Sequence, residues 1–148
     1  MFKNLRHETV GTLDKKTWKI DKLYVLTSSV QHKTDLPIFK KGYPDKILFH
    51  SHPYHQRFCK TVDFPSLSDI FITLQLDYPY HFIFVKEGVF ILRKTEKHLS
   101  HQEFASLLAT INNTIKTKIC RFRSIVTVSK FLNRQFKDRG LHFDAILV

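Results

Sequence analysis

An α+β domain, with a twisted mixed β-sheet flanked by helices, is the fold class this sequence predicts, and three observations predict it. Residues 8–13, 18–27 and 46–52 are short runs of strand length, rich in Val, Ile, Thr, Tyr and Phe. Tyr80-His-Phe-Ile-Phe-Val85 and Val89-Phe-Ile-Leu92 bracket Lys86-Glu87-Gly88 as a β-hairpin would. From Ser100 the apolar period changes, with Phe104, Leu107, Leu108, Ile111 and Ile115 at helical spacing. Strands followed by helices, packed on one another, are the pattern of an α+β domain.

In chain order, Asp14-Lys15-Lys16 is the turn between the first two strands, and residues 28–45, with Pro37, Gly42 and Pro44, form a loop with room for one short strand. Lys46-Ile-Leu-Phe-His-Ser-His52 is the next strand and stops at Pro53. Residues 53–65 are a loop. A helix starts at Ser66 and runs to about Asp77, ended by Tyr78-Pro79. Ser100 and Glu103 have the spacing of a capping box, in which each side chain satisfies the other residue's free backbone amide. Arg121–Thr127 reads as a strand, Ser129–Arg139 as a helix stopped by Gly140, and His142–Val148 as a last strand or tail.

The 148 residues are expected to form a single domain, 43% hydrophobic and carrying 14 phenylalanines for its core. No segment approaches the roughly 20 continuous apolar residues that span a bilayer, which predicts no membrane partner. The first residues lack the order of a secretory signal. Cys59 and Cys120 form neither a disulfide framework nor a Cys-x-x-Cys metal motif, so an intracellular, by default cytoplasmic, location is expected. The net charge of +11 attracts anions. A bias toward Lys, Phe and Ile, of the kind found in AT-rich genomes of viruses, organelles or low-GC bacteria, accounts for it as well.

The chemistry concentrates around His50-Ser51-His52-Pro53. Side chains two apart on a strand share a face, so both imidazoles project together. Two histidines and a carboxylate from a nearby helix start make a three-ligand zinc site with one position open, the catalytic rather than the structural arrangement. Ser66-Leu67-Ser68-Asp69 supplies that carboxylate in Asp69. The same four residues are also a plain helix cap, and the two roles are compatible because a helix N-terminus favours negative charge. Glu8, the only glutamate ahead of the histidine pair, is the candidate general base.

Taken together, these residues resemble the JAMM (MPN-plus) zinc metallopeptidase family, whose pattern is a strand glutamate, then His-Ser/Thr-His-Pro, then Ser-x-x-Asp. Glu8, His50-Ser51-His52-Pro53 and Ser66-Leu67-Ser68-Asp69 match each element in order, and Glu8-Thr-Val-Gly-Thr-Leu13 is similar to the family's glutamate strand. The resemblance covers residues 8 to about 92 and not the helical part from about 100 to 148. It implies a JAMM/MPN-like, cytidine-deaminase-like fold. It also implies Zn2+ held by His50, His52 and Asp69, water in the fourth place, Glu8 as base and Ser66 steadying the tetrahedral intermediate. The implied reaction is hydrolysis of an isopeptide or peptide bond, in the manner of a deubiquitinase acting on a ubiquitin or ubiquitin-like conjugate or another protein substrate.

Two departures qualify that expectation. The thirteen residues 53–65 exceed the family's usual spacer, and can shape or cover the cleft; His55, Cys59 and Asp63 within them are read as supporting or solvent residues rather than ligands. Only seven residues precede Glu8, so the helix that relatives carry there is either dispensed with or replaced by the C-terminal helices. The shortness also suits a noncatalytic interaction subunit of a larger assembly. A third reading is nucleic-acid association, RadC-like, through Lys116, Lys118, Arg121, Arg123, Lys130, Arg134, Lys137 and Arg139.

Overall fold

The computed structural model describes residues 7–26, 35–53, 58–95, 100–110, 113–137 and 139–148. Among the described residues six strands form one sheet: β1 (Glu8–Asp14), β2 (Ile20–Leu26), β3 (Lys46–Ser51), β4 (His81–Val85), β5 (Gly88–Lys94) and β6 (Leu141–Leu147), in the spatial order β2-β1-β3-β4-β5-β6. Of these six strands, β3 and β4 are the one parallel pair, and a parallel neighbour requires a crossover. That crossover contains α1 (Leu67–Gln75). The remaining helices, α2 (His101–Thr110), α3 (Asn113–Ile119) and α4 (Ile125–Gln135), lie between β5 and β6 in the chain.

Register settles which residues share a face. Val10 pairs with His50, Leu48 with His81, and His50 with Ile83. These side chains, and Phe90 and Leu92 opposite Ile83 and His81, therefore point to one side. The helices pack on that side. Ile70 of α1, Leu107 of α2, Ile115 and Ile119 of α3, and Ile125, Val128 and Leu132 of α4 share a buried cluster with Ile83, Phe90, Leu92 and Phe143. A second cluster of Val10, Leu48, Ile38, Phe39, Ile72 and Tyr78 fills the space toward β2. The Tyr78 hydroxyl donates to the Ile38 carbonyl at 2.6 Å, which ties the 3-10 turn Pro37–Phe39 beneath α1. On the opposite face, a side chain at Gly11 would collide with the Lys22 carbonyl and the Phe49 ring, so glycine lets β1 approach both.

Apart from Arg121–Thr127, the predicted strands stand within two residues of their ends, and the 80–92 hairpin is β4 and β5. The short strand allowed for residues 28–45 is instead the 3-10 turn, with 27–34 outside the described residues. Of the helical stripe from Ser100, Leu107 and Ile115 are buried; residue 111 and the side chains of Phe104 and Leu108 lie outside the described set. Ser100 caps α2, its Oγ accepting from Glu103 N at 3.1 Å.

Two expectations are corrected. Arg121–Thr127 is not a strand. Ser124 caps α4, its Oγ accepting from Val126 N at 3.2 Å, and the helix runs Ile125–Gln135 rather than the expected Ser129–Arg139, ending before Gly140 is reached. A β-branched run, Ile125-Val126-Thr127, has strand propensity, but Ile125 and Val128 fill the core at helical spacing and tertiary packing prevails. The cysteines are the second correction. Cys59 and Cys120 are joined in a disulfide, with Cα atoms 5.2 Å apart. They are separated by 61 positions, so no sequence spacing announces the pairing. The intracellular expectation had drawn on unpaired cysteines and loses that ground, because disulfides persist chiefly in oxidising surroundings.

The bridge fixes the loop before α1 to the α3–α4 junction. Thr61 Oγ1 adds hydrogen bonds to the carbonyls of Cys120 (3.0 Å) and Phe122 (3.3 Å). Closing so long a loop restricts the unfolded chain, and Cys59→Ser or full reduction is expected to cost about 2–4 kcal/mol of stability. Urea unfolding of oxidised and reduced protein, side by side, measures it; coincident curves would remove the bridge from the account.

Candidate metal centre

His50 and His52 leave the end of β3 on the helix-bearing side, as their spacing requires. The extended ladder continues through His52, whose N–H donates to the Phe84 carbonyl at 2.9 Å. The imidazole centroids are 5.0 Å apart. Facing them is the first turn of α1. Its capping box is complete: Ser66 Oγ accepts from Asp69 N (3.1 Å), and Asp69 Oδ2 accepts from Ser66 N (2.8 Å). This reciprocal cap fixes the Asp69 carboxylate where the chain has just left the sheet.

Asp69 Oδ1 lies 3.0 Å from His50 Nε2, and Asp69 Oδ2 lies 3.0 Å from His52 Nε2. One ligand atom from each of the three residues lies within 4.8 Å of the others. His50 and Asp69 are wholly buried, and His52 is the partly open member. The other nitrogen of each ring is held from behind. His52 Nδ1 meets Asp63 Oδ2 at 3.2 Å, and His50 Nδ1 meets His81 Nε2 at 2.8 Å. Such outer contacts orient metal-ligating histidines. Asp63 thus takes the supporting role foreseen for it, whereas Cys59 serves the bridge and His55 lies outside the described residues.

Glu8 begins β1, antiparallel to β3, and shares the face of Val10 and His50 by strand parity. The start of β1 adjoins the end of β3 from which His52 projects; Thr9 N donates to Ser51 Oγ at 2.9 Å between them. Glu8 is half-buried there. Ser66 is also half-buried, and its hydroxyl, already accepting from Asp69 N, keeps its proton for donation. The structure therefore brings His50, His52 and Asp69 into contact, with Glu8 on the same face and Ser66 at the same helix start.

Two residues of the centre escaped sequence reading: Thr73 and His81, both buried. Their signal was a polar side chain in apolar company: Thr73 within Ile70–Leu74, and His81 at the head of Phe82–Val85.

Burial alone would drive the proton from His52. The negative charge of Asp69 and the hydrogen bonds to Asp63 and Asp69 outweigh it and lift the imidazole to about 10. A raised folded-state value stabilises the metal-free protein fully below the unfolded value of 6.5, and that stabilisation is lost as pH rises through 10. Metal-free stability is thus expected to fall between pH 6.5 and 10, by up to about 1.4 kcal/mol per pH unit from this group. Thermal unfolding of chelator-treated protein across that range checks it, and His52→Gln should flatten the slope.

The donor set, two imidazole nitrogens and one carboxylate oxygen, is of the kind that holds a metal ion. No protein-family model, curated protein or solved structure matches this chain. Among the described residues no helix is long and apolar enough to cross a membrane.

Proposed function

We propose that this chain is a zinc-dependent hydrolase of isopeptide or peptide bonds, of the JAMM type and deubiquitinase-like in its substrates. The observation that carries the reading is the convergence of His50 Nε2, His52 Nε2 and Asp69 on one point, with Glu8 on the same sheet face. His50, His52 and Asp69 would hold the metal. Zinc in such a site supplies a Lewis acid and lowers the pKa of coordinated water from 15.7 to about 7.

The chain's own residues do the rest. The Glu8 carboxylate takes a proton from the attacking water and returns it to the leaving nitrogen as the C–N bond breaks. The Ser66 hydroxyl donates to the oxygen that gains negative charge, assisted by the N-terminus of α1. Asp63 and His81 keep the two imidazoles aimed. β3 is flanked on both sides by β1 and β4, so a substrate tail cannot add as a strand directly beside the histidines. A conjugate's tail would approach across the strand ends, from the side where His52 is open.

Incubation of zinc-loaded protein with an isopeptide-linked ubiquitin pair, alone and with co-purified partners, tests the reading. Cleavage that a chelator abolishes and zinc restores is expected. Zinc binding without cleavage under either condition would instead favour the noncatalytic assembly subunit, which the full complement of Glu8, both histidines, Ser66 and Asp69 argues against.

A second reading rests on α4. Lys130 and Arg134 are exposed one turn apart on α4, Arg123 and Lys137 are exposed just beyond its two ends, and no acidic residue occurs between positions 104 and 137. Nucleic acid bound there would show affinity falling steeply with salt, and Lys130→Glu with Arg134→Glu would weaken it severalfold. Salt-independent or undetectable binding would exclude it.

A further inference from the structure

Behind His50 runs a chain of three short hydrogen bonds whose direction is fixed at one end. Thr73 sits one turn after Asp69 on α1, and its hydroxyl donates to the Asp69 carbonyl at 2.8 Å. A carbonyl oxygen has only lone pairs, so the single hydroxyl proton of Thr73 is committed. Thr73 Oγ1 can then only accept from His81 Nδ1, 2.8 Å away. His81 therefore carries its proton on Nδ1 and offers a lone pair at Nε2. That lone pair lies 2.8 Å from His50 Nδ1, which must be the donor. The proton of a neutral His50 is thereby assigned to Nδ1, and the Nε2 lone pair is directed at the Asp69 carboxylate, 3.0 Å away. Two lone pairs at that distance repel unless a metal ion or a second ring proton lies between them.

We propose that Thr73 and His81 are positioning residues that select the Nε2-ligating tautomer of His50, through a relay anchored on the main-chain carbonyl of the ligand residue Asp69. The proposal rests on the zinc reading above and deepens it. One turn of α1 supplies both a ligand, the Asp69 side chain, and the reference that polarises the imidazole opposite, the Asp69 carbonyl. All three relay residues, Thr73, His81 and His50, are buried, so water does not substitute for a missing member. His52 is held differently, by the Asp63 carboxylate, which accepts a proton from Nδ1 without needing further relay. The two histidines are thus oriented by unlike devices, one a charged acceptor and one a neutral chain.

Thr73→Val removes the hydroxyl with little change in shape, and Thr73→Ser restores it; His81→Leu removes the relay, and His81→Gln returns an acceptor to His50 Nδ1. The readout is zinc dissociation measured against a chromogenic chelator, with long-range 15N–1H spectra of the histidines in zinc-loaded protein. Expected results are about 10–100-fold weaker zinc binding in Thr73→Val and His81→Leu, recovery in Thr73→Ser and partial recovery in His81→Gln. The spectra should place the protons of His50 and His81 on Nδ1 in the unaltered chain. Zinc bound by Thr73→Val within threefold of the unaltered chain, or a His50 proton on Nε2, overturns the relay while leaving the metal centre standing. Failure of the unaltered chain to bind zinc overturns both.

Discussion

Glu8→Gln is expected to keep about one zinc per chain and to lose about 10²–10⁴-fold in turnover of an isopeptide substrate, the usual contribution of a positioned general base. Glutamine has nearly the same shape and can neither take the proton from water nor deliver it to the departing nitrogen. Glu8 stands on β1, outside the group formed by His50, His52 and Asp69, so the metal should stay when its charge goes. Paired metal analysis and single-turnover cleavage separate the possibilities. Loss of both zinc and turnover would make Glu8 a ligand, and unchanged turnover would remove it from the chemistry.

Asp69→Ala should be the most damaging single change to the centre. One carboxylate faces His50 Nε2, faces His52 Nε2 and accepts from Ser66 N, so alanine deletes a ligand, an ion pair and half of a capping box together. The cap is worth about 0.5–2 kcal/mol. Stranding a buried partner charge costs about 3–5 kcal/mol, which His52 reduces by shedding its proton. A net loss of about 3–5 kcal/mol at neutral pH is expected in the metal-free state, together with loss of zinc binding. The destabilisation should shrink toward pH 10, where the unaltered protein has itself lost the contribution of a charged His52. Denaturant midpoints at pH 7 and pH 9.5 read both effects. A pH-independent difference would mean that capping alone connects Asp69 to stability.

How far the sequence disclosed this arrangement depends on how local each determinant is. β1, β3, the start of α1 and the β4–β5 hairpin follow from short β-branched and aromatic runs, a capping box and the turn at Gly88, all contained within short windows, whereas α1 ends at Gln75, before the expected Asp77. The His50–His52–Asp69 cluster was legible for the same reason: strand parity aligns His50 with His52, and a helix cap presents Asp69. The start of α4 was misread because Ile125-Val126-Thr127 satisfies a strand in isolation and a helix only once Ile125 and Val128 face the core. The Cys59–Cys120 bridge and the His50–His81–Thr73 chain join residues from separate elements, and their partners are defined by sheet order rather than by spacing. The long loop before α1 illustrates both sides. Its length was plain, and its work was not: it carries Asp63 to His52 and is fastened at Cys59 and Thr61.

The most direct test of the central claim is zinc K-edge absorption on protein loaded with one equivalent of zinc, after metal analysis of the stoichiometry. With both cysteines of the chain committed to a disulfide, the account predicts about one zinc per chain in a shell of nitrogen and oxygen at about 2.0–2.1 Å with imidazole scattering. That signal should be absent from Asp69→Ala. A chain that retains no zinc at neutral pH, or a sulfur shell at about 2.3 Å, would contradict it.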